Sequence, residues 1–419
     1  MTGGRGAWAK RVLPTLRGLL RRHGATLLVA AAIPAGMYLI RDASSKGYLP
    51  LVFADRPWSA GERAVDGPSD EPKKPSVTHV SAPKFVRGLY VTSATVSETR
   101  RFDALVALAE RGGINTLVID IKDGNGELAF VPEDPALAGY ALAKPQIADL
   151  NGLTERLHQR GFYLVARQFV FQDPAYVVRH PERAVQRAGG GVWRDRRGTP
   201  WVDVASRAAW EYNAAVALEA FDAGFDEIQF DYIRFPSDGN ISTIRYPEYD
   251  GKTPKADVLA DFFAFLDQEL RIKRGVAISV DLFGLTMWQH QHDLGIGQLL
   301  DRAAPHFDYV SPMVYPSHYP PGFDGFANPA IHPYEVVYKN LVRGQIVFEA
   351  AAASRKEAIG RGAHLPPTAR VRPWIQDFDL GAVYTPDMVR AQMKAAVDGG
   401  ASGWLLWNAR NVYTESAMK

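Results

Sequence analysis

A chain of 419 residues that is 47% hydrophobic and 22% charged can bury one large core, and a single α/β barrel commonly fills this length. Its 48 basic and 46 acidic residues leave a formal charge of +2, so no whole-molecule field draws it toward nucleic acid, and no such partner is expected. The absence of cysteine excludes a disulfide framework and thiolate chemistry, while the ten histidines form no HExxH pair and no GxxxxGK[ST] or GxGxxG turn occurs, so neither a metal nor any other cofactor is expected.

The chain begins with a basic stretch, Lys10, Arg11, Arg17, Arg21 and Arg22, followed by an uncharged apolar run over 25–40. The run is apolar all round, which argues against an amphipathic soluble helix. It is somewhat shorter than the roughly 20 residues of an average spanning helix. No small-x-small cleavage site follows closely, so residues 1–45 read as an uncleaved signal anchor with its basic end cytoplasmic. The rest is then expected on the extracytoplasmic side, periplasmic or at the cell surface, or secreted if the signal is cleaved. Residues 46–83 carry Pro57, Pro68, Pro72, Pro75 and Pro83 among small and charged residues, a composition that cannot bury a core, and read as a linker.

From 84 to 419 short apolar runs alternate with longer amphipathic stretches, the pattern of parallel strands joined by crossover helices. Strands are predicted at 85–93, 115–122, 162–170, 225–233, 276–284, 308–315, 369–377 and 402–409. Helices are predicted near 99–111, 150–160, 205–223, 255–274, 296–304, 333–353 and 385–398. Eight strands with intervening helices match a closed (β/α)8 TIM barrel, and polar residues at the strand ends weigh against an open doubly wound sheet.

In such a barrel alternate strand residues point inward and chemistry gathers at the C-terminal rim. In the fourth strand Ile228, Phe230 and Tyr232 would face the helices, leaving Glu227, Gln229 and Asp231 inside, with Asp231 last. In the fifth, Ala277 and Ser279 lead to an inward Asp281. In the second, the same parity sends Val118, Asp120 and Lys122 inward and leaves Asp123 to the following loop. Later strands supply Tyr315, then Gln376 and Asp377, then Trp407 and Asn408. Aromatic rings beside carboxylates suit a ligand with apolar faces and polar edges, such as a sugar.

The segments VRGLYVTSAT, NTLVIDIKDGNG, FDEIQFDYIRFP, SVDLFG, DYVSPMVYPSHYPPG, RPWIQDF and GWLLWNA, spread over about 84–411, resemble the bacterial putative glycosyl hydrolase domain family. The resemblance implies a (β/α)8 barrel related to glycoside hydrolases and a polysaccharide or oligosaccharide substrate. Such enzymes generally need two carboxyl groups, one to protonate the leaving oxygen and one to attack the anomeric carbon or activate water. Asp231 and Asp281 are the expected catalytic pair. Asp231 is assigned as nucleophile or base, with Arg234 and secondarily Lys122 as cations able to hold it ionised. Asp281, among apolar neighbours, is assigned as acid, although the two roles are interchangeable at this stage and the stereochemistry stays open.

Expected substrate contacts are Tyr90, Asp120, Lys122, Asp123, Arg167, Gln229, Arg234, Tyr315, Gln376, Asp377 and Trp407. Asp120 and Lys122 have an equal alternative as a buried pair, and Trp404 and Trp407 as core. The loops 172–204, with Trp193, Trp201 and several arginines, and 316–332, with His318, Tyr319, Phe323 and Phe326, are long enough to wall a groove. Two other functions compete. A metal-dependent envelope hydrolase or deacetylase would use His290, His292 and Asp293, with no further ligand evident beyond that cluster. A non-catalytic saccharide-binding barrel would keep the aromatics without needing both Asp231 and Asp281.

Overall fold

The eight apolar runs pair side by side as parallel strands: β1 Val86–Val91, β2 Thr116–Lys122, β3 Tyr163–Phe169, β4 Glu227–Asp231, β5 Ala277–Phe283, β6 Tyr309–Met313, β7 in two pieces, Arg370–Val371 and Trp374–Gln376, and β8 Gly403–Trp407. The computed structural model describes residues 77–361 and 367–418, so the anchor expected over 1–45 and the linker up to residue 76 lie outside the described residues. Each strand pairs with the next in chain order, and β8 returns to β1 with Gly403 opposite Val86, which closes the barrel. The seventh strand is split because Pro373 has no N–H to give to a ladder; the strand resumes with Trp374 beside Met313 of β6 and Leu405 of β8.

Among the described residues seven crossover helices link successive strands, beside shorter helices in the loops: α1 Thr99–Arg111, α2 Leu150–Gln159, α3 Arg207–Asp222, α4 Lys255–Leu266, α5 Leu300–Ala303, α6 Pro333–Gly360 and α7 Pro386–Asp398. In α1 the buried residues Phe102, Leu105, Val106 and Ala109 fall at i, i+3, i+4 and i+7, one apolar stripe turned to the sheet. Starts are set by local chemistry: Asp149 accepts the Gly152 N–H at 2.8 Å ahead of α2, and Thr385 with Pro386 at the first position opens α7. Among the described residues no helix is long and apolar enough to cross a membrane.

Two apolar regions result. The larger lies between strands and helices, and a smaller one of Val86, Tyr90, Val118, Tyr163, Val165, Tyr315, Trp374 and Leu405 fills the barrel interior. Along β4 the inward series climbs through three polar rungs. Glu227 at the bottom accepts from Arg372 at 3.1 Å, Tyr163 at 3.0 Å and Ser279 at 2.5 Å. Gln229, in the middle, donates to Ser311 at 3.1 Å, and Asp231 ends at the rim. Burying Glu227 and Arg372 is tolerable because each charge meets its opposite and further hydrogen bonds satisfy them.

Residues 77–83, the end of the Pro-rich stretch, close the opposite mouth. The His79 ring stacks on Phe221 with centroids 4.2 Å apart, the Val80 N–H donates to Asp226 at 2.7 Å, and Val80 and Ala82 pack against the interior cluster.

Candidate active site

Three carboxylates converge on one guanidinium at the C-terminal rim. Arg167 is inward on β3, directly opposite Asp120 of β2 and Gln229 of β4. Its Nη1 donates to Asp120 Oδ1 at 2.6 Å, its Nη2 to Asp231 Oδ2, and its Nε reaches Asp281 Oδ2 at 3.4 Å. Aromatic rings enclose the cation: its central carbon lies 4.8 Å from the Phe169 ring centroid, 5.0 Å from Trp407 and 5.4 Å from Tyr90. A guanidinium suits this position because it stays charged when buried and presents several donors in one plane.

Each carboxylate has a second anchor. Tyr90 donates its hydroxyl to Asp120 Oδ2, Trp374 donates its indole N–H to Asp281 Oδ1 at 2.7 Å, and the Tyr232 N–H donates to Asp231 Oδ1 at 2.6 Å. Tyr232 adopts a left-handed backbone, φ 52°, which for a bulky side chain costs about 1–3 kcal/mol. Its ring stacks on Phe169 with centroids 4.3 Å apart, and this contact holds the strained turn that presents Asp231. Of the three side chains Asp231 is the most exposed, at 8% against 5% for Asp120 and 1% for Asp281, so it is the one turned most to the opening.

Burial, reinforced by the neighbouring Asp231 charge and opposed by Arg167, pushes Asp281 well above the ordinary carboxylate range. Burial also raises Asp120, against the pull of Arg167 and Tyr90. Burial, then Asp281 and Asp231, raises Tyr315, so its phenol stays protonated. For Asp281 the folded chain holds its proton at a pH where the unfolded chain has released it. The native state then binds more protons, and stability falls as pH rises from the unfolded carboxylate value through the raised one. Asp281→Asn should therefore flatten the decline in melting temperature between acidic and neutral pH; a decline identical to the parent's would contradict this burial-driven shift.

The cation beside Asp231 is Arg167, rather than Arg234 or Lys122. The turn at Tyr232 sends Arg234 away, to Ser237 Oγ at 2.9 Å and over the rings of Trp201 and Phe283 at 4.7 and 5.0 Å. Lys122 does not follow the parity of Asp120. The β2–β3 register shifts between Asp120 and Lys122, a bulge that turns Lys122 outward beneath α3. There its ammonium, with no solvent exposure, donates to Asp173 and to Asn213, both at 2.8 Å. Gly126, at φ 77°, packs so closely on Asp173 that a Cβ would clash, and Asp173 caps the short helix Pro174–Arg179, so this pair fastens two rim loops together. Lys122→Met leaves Asp173 buried without its cation and should cost about 3–5 kcal/mol in denaturant unfolding, with much of the loss recovered in Lys122→Met/Asp173→Asn.

The other expected contacts divide. Trp407 is inward and stacks on Tyr90 at 3.9 Å, whereas Trp404 packs in the outer core. Tyr315 lies in the interior cluster beside Trp374. Gln229 sits one rung below Asp231. Gln376 accepts from Ser317 Oγ at 2.8 Å and braces the loop after β6. Asp377 accepts from the Thr414 hydroxyl and N–H at 2.7 and 2.8 Å, so it holds the C-terminal turn instead of facing the opening. Asp123 accepts the Asn125 N–H at 2.9 Å in the turn above Asp120. Trp193 and Trp201 are buried plugs of their loop. His292 and Asp293 accept the N–H groups of Leu294 and Gly295 in a surface turn, and among the described residues no group of three His, Cys, Asp or Glu is placed to hold a metal ion. Three site residues were not expected, Trp374, Phe169 and Asp173; Trp374 carried a signal in sharing the inward parity of Gln376 and Phe169 in sharing that of Arg167, whereas Asp173 carried none.

Known proteins match this barrel over most of its length. The family model for a putative glycosyl hydrolase domain covers residues 88–413. Among curated proteins none matches the chain. A hypothetical protein from Ruminiclostridium thermocellum is 33% identical over 46% of this chain and 96% of its own, with a TM-score of 0.42. The PgaB (BpsB) glycoside hydrolase domain from Bordetella bronchiseptica is 16% identical over 78% of this chain and 95% of its own, with a TM-score of 0.52. A β-galactosidase from Marinomonas ef1 is 12% identical over 80% of this chain and 58% of its own, with a TM-score of 0.51. The last two likenesses are of fold. On the family match, spanning the barrel from β1 to the C-terminal turn, the chain belongs to the putative glycosyl hydrolase domain family.

Proposed function

We propose that this protein hydrolyses glycosidic bonds in a cell-envelope or extracellular polysaccharide, with Asp281 as general acid and Asp231 as nucleophile. The observation that carries this reading is the pairing of two rim carboxylates on adjacent nitrogens of one buried guanidinium, with burial and the Asp231 charge together keeping Asp281 protonated.

Asp281 Oδ1 is pinned by the Trp374 indole, and its Oδ2 makes only the long 3.4 Å contact to Arg167, so Oδ2 is the oxygen free to carry a proton toward the leaving glycosidic oxygen. As that bond breaks, Asp231 attacks the anomeric carbon. The glycosyl–Asp231 ester is then hydrolysed by water, which gives its proton back to Asp281 and leaves Asp231 as the carboxylate. Arg167 neutralises charge on Asp231 before attack and after release. Donors on one edge of a guanidinium point nearly parallel, so the two carboxylates sit side by side, which favours the roughly 5–5.5 Å spacing of retaining enzymes over the wider inverting one.

The basic stretch and apolar run of 10–40 support export with membrane tethering, which would place the barrel among envelope polymers. The test is to incubate the full chain in detergent with a panel of bacterial envelope polysaccharides and follow the first-formed product by NMR. Oligosaccharides released with the substrate's anomeric configuration are expected. Inverted product would sink the nucleophile assignment, and no release from any polymer would favour a saccharide-binding barrel.

A further inference from the structure

The loop after β6 carries a hydrogen-bond relay whose end is left open. Gln376 Nε2 donates to the Phe378 carbonyl at 2.8 Å, which fixes the amide so that its Oε1 faces Ser317. Ser317 Oγ donates to that Oε1 at 2.8 Å, and its remaining lone pairs face His318 Nδ1 at 3.1 Å. A hydroxyl proton already given to Gln376 is not available to His318, so Nδ1 must be the protonated nitrogen and Nε2 a bare acceptor. Among the described residues Nε2 has no hydrogen-bond partner and is enclosed, as is the hydroxyl of the adjacent Tyr319. Leaving such a group unpaired is unfavourable, and the cost is removed when the side chains enclosing it give way to a hydrogen-bond donor.

The position of the relay says what that donor belongs to. The His318 ring lies 5.1 Å from Tyr315 and 6.0 Å from Phe378, centroid to centroid. Tyr315 is in turn close enough to Asp281 and Asp231 for both charges to act on its phenol. Burial holds the imidazole down to about 4, so it is neutral at physiological pH and repels no uncharged donor. Tyr319 tucks its hydroxyl against Gly284, where a Cβ would stand only 2.5 Å away, at the end of the strand that carries Asp281.

Resting on the saccharide reading above, we propose that His318 is a sugar-recognising residue: its bare Nε2 accepts a hydrogen bond from an uncharged ring hydroxyl or acetamido N–H of the sugar bound beside Asp281 and Tyr315. Gln376 and Ser317 are positioning residues that fix its tautomer.

The test uses the full chain in detergent with Asp231→Asn, so that ligand survives, titrated by calorimetry with neutral hexose and N-acetylhexosamine oligosaccharides. Adding His318→Phe should weaken the binding of the bound class about tenfold or more. His318→Gln, whose Oε1 can take the place of Nε2, should stay within about threefold. Equal affinity in the Phe and Gln variants, or no binding of either class, overturns the proposal. Hydrolysis that persists in both Asp231→Asn and Asp281→Asn would instead remove the catalytic reading and leave this one standing.

Discussion

Asp231→Asn should lower turnover of a susceptible polysaccharide by about 10³-fold or more while leaving the barrel folded. Asn keeps an oxygen for the Tyr232 N–H, and Arg167 keeps Asp120 and Asp281 as partners, so the loss would be chemical more than structural. A second consequence separates this from a general disturbance. Asp281 is raised first by burial and then by the charge of Asp231, so removing that charge should move the alkaline limb of any residual activity to lower pH. A limb that stays in place would show that the two carboxylates do not sense each other.

Arg167→Met is expected to be the most damaging substitution in stability. It leaves Asp120, Asp231 and Asp281 facing one another in a space that exposes none of them by more than 8%. Removing one partner from a buried ion pair typically costs about 3–5 kcal/mol, and here one cation serves three carboxyl groups. The sign with pH follows from charge: without the cation the folded state takes up protons to neutralise its carboxylates, so the loss should be smallest at acidic pH and grow as pH rises. Denaturant unfolding of parent and variant at pH 5 and pH 8 checks this, and an equal loss at both would mean that Arg167 acts mainly through packing. Arg167→Lys should recover little, because an ammonium is a point donor and cannot span three carboxylates.

The barrel was legible because eight runs of apolar residues, each of strand length, are separated by amphipathic stretches long enough to cross back. Parity alone placed Asp231, Asp281, Asp120 and Trp407 inside, since it requires only an unbroken period of two. It failed where that period breaks. The bulge after Asp120 reverses Lys122, and the left-handed turn at Tyr232 redirects Arg234; neither leaves a mark in composition. Arg167 could be counted as inward, but not as the hub, because its partners lie 47, 64 and 114 residues away and the choice among several nearby cations is made by three-dimensional closure. The Lys122–Asp173 clasp was hidden for the same reason, its halves standing 51 positions apart in sequence.

The central claim is that Asp231 and Asp281 form one catalytic pair. The most direct measurement is product release from envelope polysaccharides by the full chain, compared under identical conditions with Asp231→Asn, Asp281→Asn and the double variant. The account predicts that either single change abolishes nearly all release and that the double variant is scarcely worse than either, as expected of groups acting as a unit. Release at the parent rate from either single variant would contradict it.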